Sequence, residues 1–296
     1  MQKKAIIIVN PVAGTMKVKQ ALWAILASLG GQGYETTVFM TQKQGDASEA
    51  AGRHGADSDL VVCCGGDGTL NEVIHGILPL AERPLLLYYP CGSTNDFATT
   101  LGLSSDVRLA IANVEERQVM DLDVGQLNET MNFSYIASFG AFVRASYAAP
   151  RAMKNAMGHF AYILEGIKEL PSIGKRYHTK ITHDGGVIEG EFALVAVTNS
   201  TSAGGVLRLP AEQVKLNDGL FEIFLIKGIK NAADATSAVQ MLLSKKYDGD
   251  KVTLLHTTKA VIECEEAPDW CVDGEYAGKI AHAEVTCLQG AVRILI

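Results

Sequence analysis

Gly65-Gly66-Asp67-Gly68-Thr69-Leu70-Asn71-Glu72 is the stretch on which the reading of this chain turns. It lies between the apolar run Asp59–Cys64 and a helix-like pattern that reaches about Ile77. A strand, a glycine turn and a helix start, in that order, make an anion site. Glycine lets the backbone approach an anion closely, and the free N–H groups and dipole of the helix start favour negative charge. Asp67 repels a bare phosphate, a conflict that a divalent cation between them removes. Thr69 and Asn71 can cap the helix or bond a ligand. A structural turn needs only the glycines and an N-capping Thr; the carboxylate set between glycines favours a binding site. The chain has no GxxxxGK[ST] and no HRD or DFG set, which excludes P-loop and protein-kinase phosphate chemistry.

Two further loops carry the same character. Asn10-Pro11-Val12-Ala13-Gly14 follows the run Ala5–Val9, and Pro90-Cys91-Gly92-Ser93-Thr94-Asn95-Asp96-Phe97-Ala98 follows Leu85–Tyr88. Around them strand and helix signals alternate: a helix near Val18–Leu29, strand Thr36–Met40, a helix around Ala47–His54, strand Leu60–Cys64, a helix from Thr69, and a helix near Val107–Val114. Repeated strand–helix units predict a parallel sheet covered by helices, and right-handed crossovers make it doubly wound. Ligands of such sheets bind outside the carboxyl ends of the strands. All three loops lie at such ends and are expected to converge on one crevice.

From about Asp121 the texture changes. Strand-like runs at Met131–Ser138, Tyr177–Thr182, Phe192–Thr198, Leu220–Ile226, Ala260–Cys264 and Ala281–Leu288 dominate, interrupted by helices near Ala152–Leu170 and Ala232–Leu243. The expectation is an α/β N-terminal three-layer domain over residues 1–124 and a β-rich domain over 125–288, with a tail, 289–296, able to return to the first.

Hydrophobic residues make up 48% of the 296 and charged residues 20%, the composition of a folded globular chain. A net charge of −7 leaves no overall nucleic-acid footprint. Lys168, Lys175 and Arg176 read as a solvated face. None of the 6 cysteines has zinc spacing, and Cys63 and Cys64 read as small core residues. No apolar run approaches the roughly 20 residues of a membrane span. Met1-Gln2-Lys3-Lys4 opens no secretory leader. The expected location is the cytoplasm, with reduced thiols.

Together the three loops resemble the diacylglycerol kinase catalytic family, lipid kinases that include sphingosine and ceramide kinases. The family pattern NPxxG, GGDGTxNEV and PxGTxNDFA is met at Asn10–Gly14, Gly65–Val73 and Pro90–Ala98, with Ser93 in place of the usual Thr. Ser138–Phe142, Gly158–Tyr162, Ala203-Gly204-Gly205, Pro210, Asn217–Leu220 and Val272–Glu275 extend the likeness over nearly the whole chain. The resemblance implies an NAD kinase-like N-terminal domain, a sandwich-like C-terminal domain, and ATP in a cleft between them. It implies that Asn10, Thr41, Gly65, Gly66, Asp67, Gly68, Thr69, Leu70, Asn71, Ser93 and Asp96 serve the nucleotide. Asp67 and Asp96 are the candidate ligands of a catalytic Mg²⁺. Asp273 is the implied general base, with Glu275 beside it. A structural Mg²⁺ is implied at the Asp218 carboxylate and the backbone carbonyls of Lys215 and Leu220.

The residues support this chemistry by themselves. Phosphoryl transfer has a loose transition state, so a carboxylate placed near the attacking hydroxyl suffices as base. Asp273-Gly274 also carries the signature of a hairpin turn between Trp270–Val272 and Tyr276–Lys279, and a hairpin tip can carry a base. His75 and Trp270 read as packing or surface, a lone His159 near the cleft proves nothing, and the apolar stripe of Met153–Leu170 reads as core, with a lipid entry surface as the alternative. NAD kinase shares the GGDGT loop, but the Asn95-Asp96-Phe97-Ala98, Asp218 and Asp273 segments argue against it. Intact Asp67, Asp96, Asp273 and Glu275 argue against a silent nucleotide- or lipid-binding regulator. The expected activity is ATP-dependent phosphorylation of a lipid hydroxyl, diacylglycerol to phosphatidic acid first. The expected partners are ATP, with Mg²⁺, and a membrane lipid reached peripherally at the inner face. No nucleic acid is expected, and a homodimer is left open.

Overall fold

The computed structural model describes residues 2–13, 17–92, 95–116, 118–141, 175–203, 207–244, 247 and 249–296. Ser93 and Thr94, the expected helix 152–170 with His159, and Gly204-Gly205 lie outside them. The chain divides into two compact units, Met1–Leu122 with Gly290–Ile296, and Asp123–Gln289.

The first unit follows the alternation in the sequence. Its elements are β1 (Lys3–Val9), α1 (Lys17–Gly31), β2 (Tyr34–Met40), α2 (Asp46–Gly55), β3 (Leu60–Gly65), α3 (Asp67–Ile77), β4 (Leu85–Pro90), α4 (Asp96–Thr100) and α5 (Val107–Glu116). The strands are parallel in the order β4-β3-β1-β2, with Val9 beside Cys64 on one side and Met40 on the other. β3 is buried on both faces, as a central parallel strand must be, which explains its unbroken run Leu-Val-Val-Cys-Cys. Ala5, Ile7 and Val9 share a core with Ala21, Ile25 and Leu29 of α1 and Ala110 and Val114 of α5. The chain leaves β1 toward β2 but finds β3 on the opposite flank, so the order reverses between β1 and β3. A doubly wound sheet opens its ligand crevice at such a reversal.

The second unit is antiparallel. β5 (Val119–Leu127) leads into it, followed by β6 (Met131–Phe133), β7 (Ile136–Gly140), β8 (Tyr177–His183), β9 (Gly186–Thr198), β10 (Ser202–Ala203), β11 (Leu207–Arg208), β12 (Phe221–Lys227), helix α6 (Ala232–Ser244), β13 (Val252–Thr257), β14 (Lys259–Cys264), β15 (Asp269–Val272), β16 (Glu275–Lys279) and β17 (His282–Leu295). Its ladder runs β16-β15-β7-β9-β8-β14-β17, and the second half of β9 also pairs with β12. Phe133, Phe139, Phe192, Phe221 and Trp270 fill its core. The fold is therefore an α/β N-terminal part and a β-rich, sandwich-like C-terminal part.

Several elements differ from the sequence expectation. β5 crosses the expected change of texture, because Asp121 and Asp123 interrupt the apolar signal of Val119–Leu127. The run Met131–Ser138 is two strands, broken at Ser134-Tyr135. β13 was not expected. β17 continues through Ala291–Leu295, and its last residues join the first unit, with Ile294 beside Leu86 and Leu295 beside Leu87 in parallel. Among the described residues, no helix is long and apolar enough to cross a membrane.

Candidate functional site

In the first unit, the ends of β1, β3 and β4 are joined by backbone bonds. Asn10 N donates to Cys64 O at 2.9 Å, and Cys91 N donates to Gly65 O at 2.9 Å. The two glycine loops then meet main chain to main chain. A Cβ on Gly92 would lie 2.5 Å from Gly66 Cα, so Gly92 tolerates no side chain, while a Cβ on Gly66 would press on Gly92 Cα at 3.1 Å. Asn95, at φ 51°, closes the second loop by accepting from Gly92 N at 2.9 Å and donating to Gly92 O at 3.0 Å. The three loops do converge.

Asn10 ties the first loop to the start of α3: its Nδ2 donates to Thr69 Oγ1 at 3.0 Å, and its Oδ1 accepts from Val12 N at 3.1 Å. Its side chain is a brace. Thr41 sits at the end of β2, its amide donating to Val9 O at 2.9 Å and its hydroxyl to the same oxygen at 3.4 Å. No side chain caps α3, and a Cβ on Gly68 would meet nothing within 4 Å. The helix start is thus open to an anion, as the glycine pattern suggests. Leu70 is core and Asn71 half-buried. Glu72 accepts from Ala47 N at 3.2 Å and braces α2.

Asp67 does not project from the loop. Its carboxylate crosses to α4, accepting from Asp96 N at 3.0 Å and Phe97 N at 3.2 Å. It supplies the N-terminal cap that Asn95 does not. Burial first, and the Asp96 carboxylate second, push Asp67 up to about 6. Asp96 is itself buried. The half-buried Asp67 and the buried Asp96 bring two carboxylates close together, a repulsion that a divalent cation would relieve. Tyr88 lies beside Asp67, its buried hydroxyl outside hydrogen-bond geometry; burial and that carboxylate raise its pKa well above the usual tyrosine value. Sequence reasoning passed over Tyr88. Its signal was a hydroxyl inside the apolar run Leu85–Tyr89.

In the second unit, Asp273 and Gly274 are the two loop residues of the β15–β16 hairpin, at φ 46° and 87°. Both values suit an Asp-Gly turn of the primed type. The buried Asp273 carboxylate accepts from three consecutive amides: Ser134 N at 2.6 Å, Tyr135 N at 3.1 Å and Ile136 N at 3.0 Å. Asp273 thus anchors the break between β6 and β7, the very break the sequence reading missed. Glu275 is exposed.

Asp218 is exposed on the loop before β12, its Oδ1 accepting from Leu220 N at 3.1 Å, and Lys215 is exposed nearby in sequence. Beneath them, Asp123 Oδ2 accepts from Gly219 N at 2.6 Å. Glu222 is 1% exposed, with Oε2 unpartnered, and burial pushes it up to about 8 with a further push from Asp218. Burial, then Asp123 and Asp218, push the Cys287 thiol up to about 12. His256 lies 3.8 Å from Glu222. Asp123, Asp218 and Glu222 thus bring three carboxylates into one neighbourhood. Among the described residues, however, no three His, Cys, Asp or Glu side chains are placed to hold a metal, so a cation here needs backbone carbonyls. Asp123 and Glu222 were missed by sequence reasoning; a lone acid inside an apolar strand was the available signal.

Elsewhere the bland readings hold. Trp270 is fully buried, Cys63 and Cys64 are core, and Arg176 pairs with Glu191 at 3.0 Å on the surface.

A parallel sheet whose strand ends carry a glycine cradle, an uncapped helix start and paired carboxylates defines a phosphate-handling α/β protein. The chain belongs to the diacylglycerol kinase catalytic-domain family. The diacylglycerol kinase catalytic domain matches residues 4–127, and the YegS C-terminal NAD kinase beta sandwich-like domain matches residues 136–296. Diacylglycerol kinase of Bacillus subtilis (strain 168) is 34% identical over 280 residues, 94% of this chain and 91% of the relative. Diacylglycerol kinase of Staphylococcus saprophyticus is 35% identical over 284 residues, 95% of this chain and 91% of the relative. A crystal structure of a diacylglycerol kinase from Bacillus anthracis str. Sterne superposes with a TM-score of 0.76 at 25% identity, covering 99% of this chain and 96% of that one.

Proposed function

We propose that the protein is a lipid kinase that moves the γ-phosphoryl group of ATP to a lipid hydroxyl, with diacylglycerol as the first substrate and phosphatidic acid as its product. The observation that carries this reading is the joined pair of glycine loops beneath the open start of α3, with Asp67 and Asp96 beside them. The names of the full-length relatives support the choice of lipid.

ATP would supply the phosphoryl group, and Mg²⁺, when bound, would supply charge neutralisation on it. The amides of Gly66, Gly68 and Thr69 bind phosphate oxygens, with Leu70, Asn71 and Gly65 shaping the turn. Ser93 adds a hydroxyl. Asn10 holds Thr69 in place, and Thr41 borders the crevice. Asp67 and Asp96 hold the cation directly or through water. Asp273 takes the proton of the attacking hydroxyl, and Glu275 assists. The Asp218 carboxylate, with the Lys215 and Leu220 carbonyls, holds a structural Mg²⁺. The protein works from the cytoplasm and reaches its lipid at the inner membrane face.

The test is transfer from labelled ATP, with Mg²⁺, to a panel of lipids in mixed micelles. Label in phosphatidic acid, lost in Asp67→Asn, supports the reading. Label in NAD, or in no lipid at all, overturns it.

A further inference from the structure

Tyr88 stands in β4 directly beside Cys63 of β3. Leu87, Tyr89 and Cys91 belong to the core shared with α1 and α5, so strand alternation turns Tyr88 to the other face of the sheet. Helix α3, whose buried Leu70, Val73 and Ile74 take no part in that core, lies on this other face. The Tyr88 ring is 1% exposed, and its hydroxyl is shut off from water with no hydrogen-bond partner among the described residues. A buried hydroxyl left unpaired costs stability that phenylalanine, of nearly the same shape, would not. The next residue shows the ordinary solution: Tyr89 donates its hydroxyl to Ser105 O at 2.9 Å. The groups beside the Tyr88 hydroxyl are instead the Asp67 carboxylate and the thiols of Cys63 and Cys91. Sulfur is a weak acceptor, so the carboxylate is the one strong acceptor of the three.

Asp67 has capacity for this donor. A carboxylate offers about four acceptor positions. The amides of Asp96 and Phe97 take one on each oxygen, at 3.0 and 3.2 Å, which leaves positions for a cation and for a phenol. Both amides come from α4, so they fix the carboxylate from one side. Tyr88 comes from β4, beneath the glycine loops, and fixes it from another. A small turn of the phenol or of the carboxylate closes the bond.

We propose that Tyr88 is a positioning residue of the phosphoryl-transfer site, its hydroxyl donating to the Asp67 carboxylate and holding it aimed at the divalent cation. The proposal rests on the reading of Asp67 as a holder of that cation. A tyrosine kept only for packing would gain nothing from its hydroxyl, and that difference is what the test uses.

Tyr88→Phe removes the hydroxyl and keeps the ring. Mn²⁺, standing in for Mg²⁺, is titrated into the full-length protein with a non-hydrolysable ATP analogue, and free Mn²⁺ is read by electron paramagnetic resonance. Tyr88→Phe should raise the Mn²⁺ dissociation constant about tenfold, the worth of one hydrogen bond to a charged group. Its Tm in chelator should not fall, because the hydroxyl lost was unpaired. In turnover the KM for Mg²⁺ should rise while kcat at saturating Mg²⁺ changes less than twofold. Asp67→Asn should weaken Mn²⁺ binding by itself, and adding Tyr88→Phe to it should do nothing further. Tyr89→Phe is the control: it should lower Tm and leave Mn²⁺ affinity unchanged. An unchanged Mn²⁺ affinity in Tyr88→Phe overturns the proposal, as does an equal loss in Tyr89→Phe, which would mark a general loosening of β4. Loss in Asp67→Asn with a silent Tyr88→Phe sinks the role of Tyr88 alone. No effect of Asp67→Asn on Mn²⁺ sinks the reading of Asp67, and the proposal with it.

Discussion

Asp67 is the residue at which the needs of folding and of binding pull apart. Its carboxyl stands at about 6 against an ordinary 3.8. A raised value means that the folded chain prefers the protonated form. That preference stabilises fully below pH 3.8 and is gone once the pH has risen past about 6. Without metal, the native protein should lose up to roughly 3 kcal/mol across this window relative to Asp67→Asn, about two units at 1.36 kcal/mol each, as read by melting in chelator. Glycines offer a second contrast. Gly92→Ala drives a methyl into Gly66 and should lower both Tm and turnover, whereas Gly68→Ala points into open space and should keep Tm while raising KM for ATP. Asp273 needs more care, because it holds three amides as well as its proposed proton. Asp273→Ala should lose at least about 2 kcal/mol of stability, since buried amides left unpaired cost about 1–3 kcal/mol each. Activity must therefore be measured well below its Tm.

At the scale of elements, the first unit was the legible one. Local strand–helix alternation and glycine-marked turns are short-range signals, and β1 through α3 lie within a few residues of their expected bounds. The convergence of the loops was readable too, because strand ends in a parallel sheet share one side. What could not be read depends on long-range contact. The cap that Asp67 places on α4, the grip of Asp273 on Ser134–Ile136 and the seat of Asp123 under Gly219 join residues 29, 138 and 96 apart, and periodicity carries no record of them. β5 and β13 escaped because their pairing partners, not their own patterns, make them strands. The C-terminal end of β17 makes an element-level prediction. Arg83 donates to Ala291 O at 2.9 Å and Leu78 O at 3.0 Å, pinning that strand beside β4. Arg83→Met should lower Tm by removing both bonds, about 1 kcal/mol each, and raise hydrogen exchange at Ile294 and Leu295.

Over the whole molecule, charge is unevenly spread, and in the second unit the buried Glu222 keeps one carboxylate oxygen without a hydrogen bond. Adding Mg²⁺ or Ca²⁺ should raise Tm of the native protein and leave Asp218→Asn much less affected; an equal rise in both would remove the proposed structural cation. A different consequence follows from the path of the chain. The first unit is left at Leu122 and completed only when Gly290–Ile296 joins it. During synthesis the ribosome therefore delivers an N-terminal sheet whose β4 edge must wait for Gly290–Ile296 to be made. Until then that edge is an open template for wrong partners. Arrested nascent chains stalled before residue 290 should engage chaperones more than released full-length protein, and refolding from denaturant, where both ends are present at once, should escape that delay.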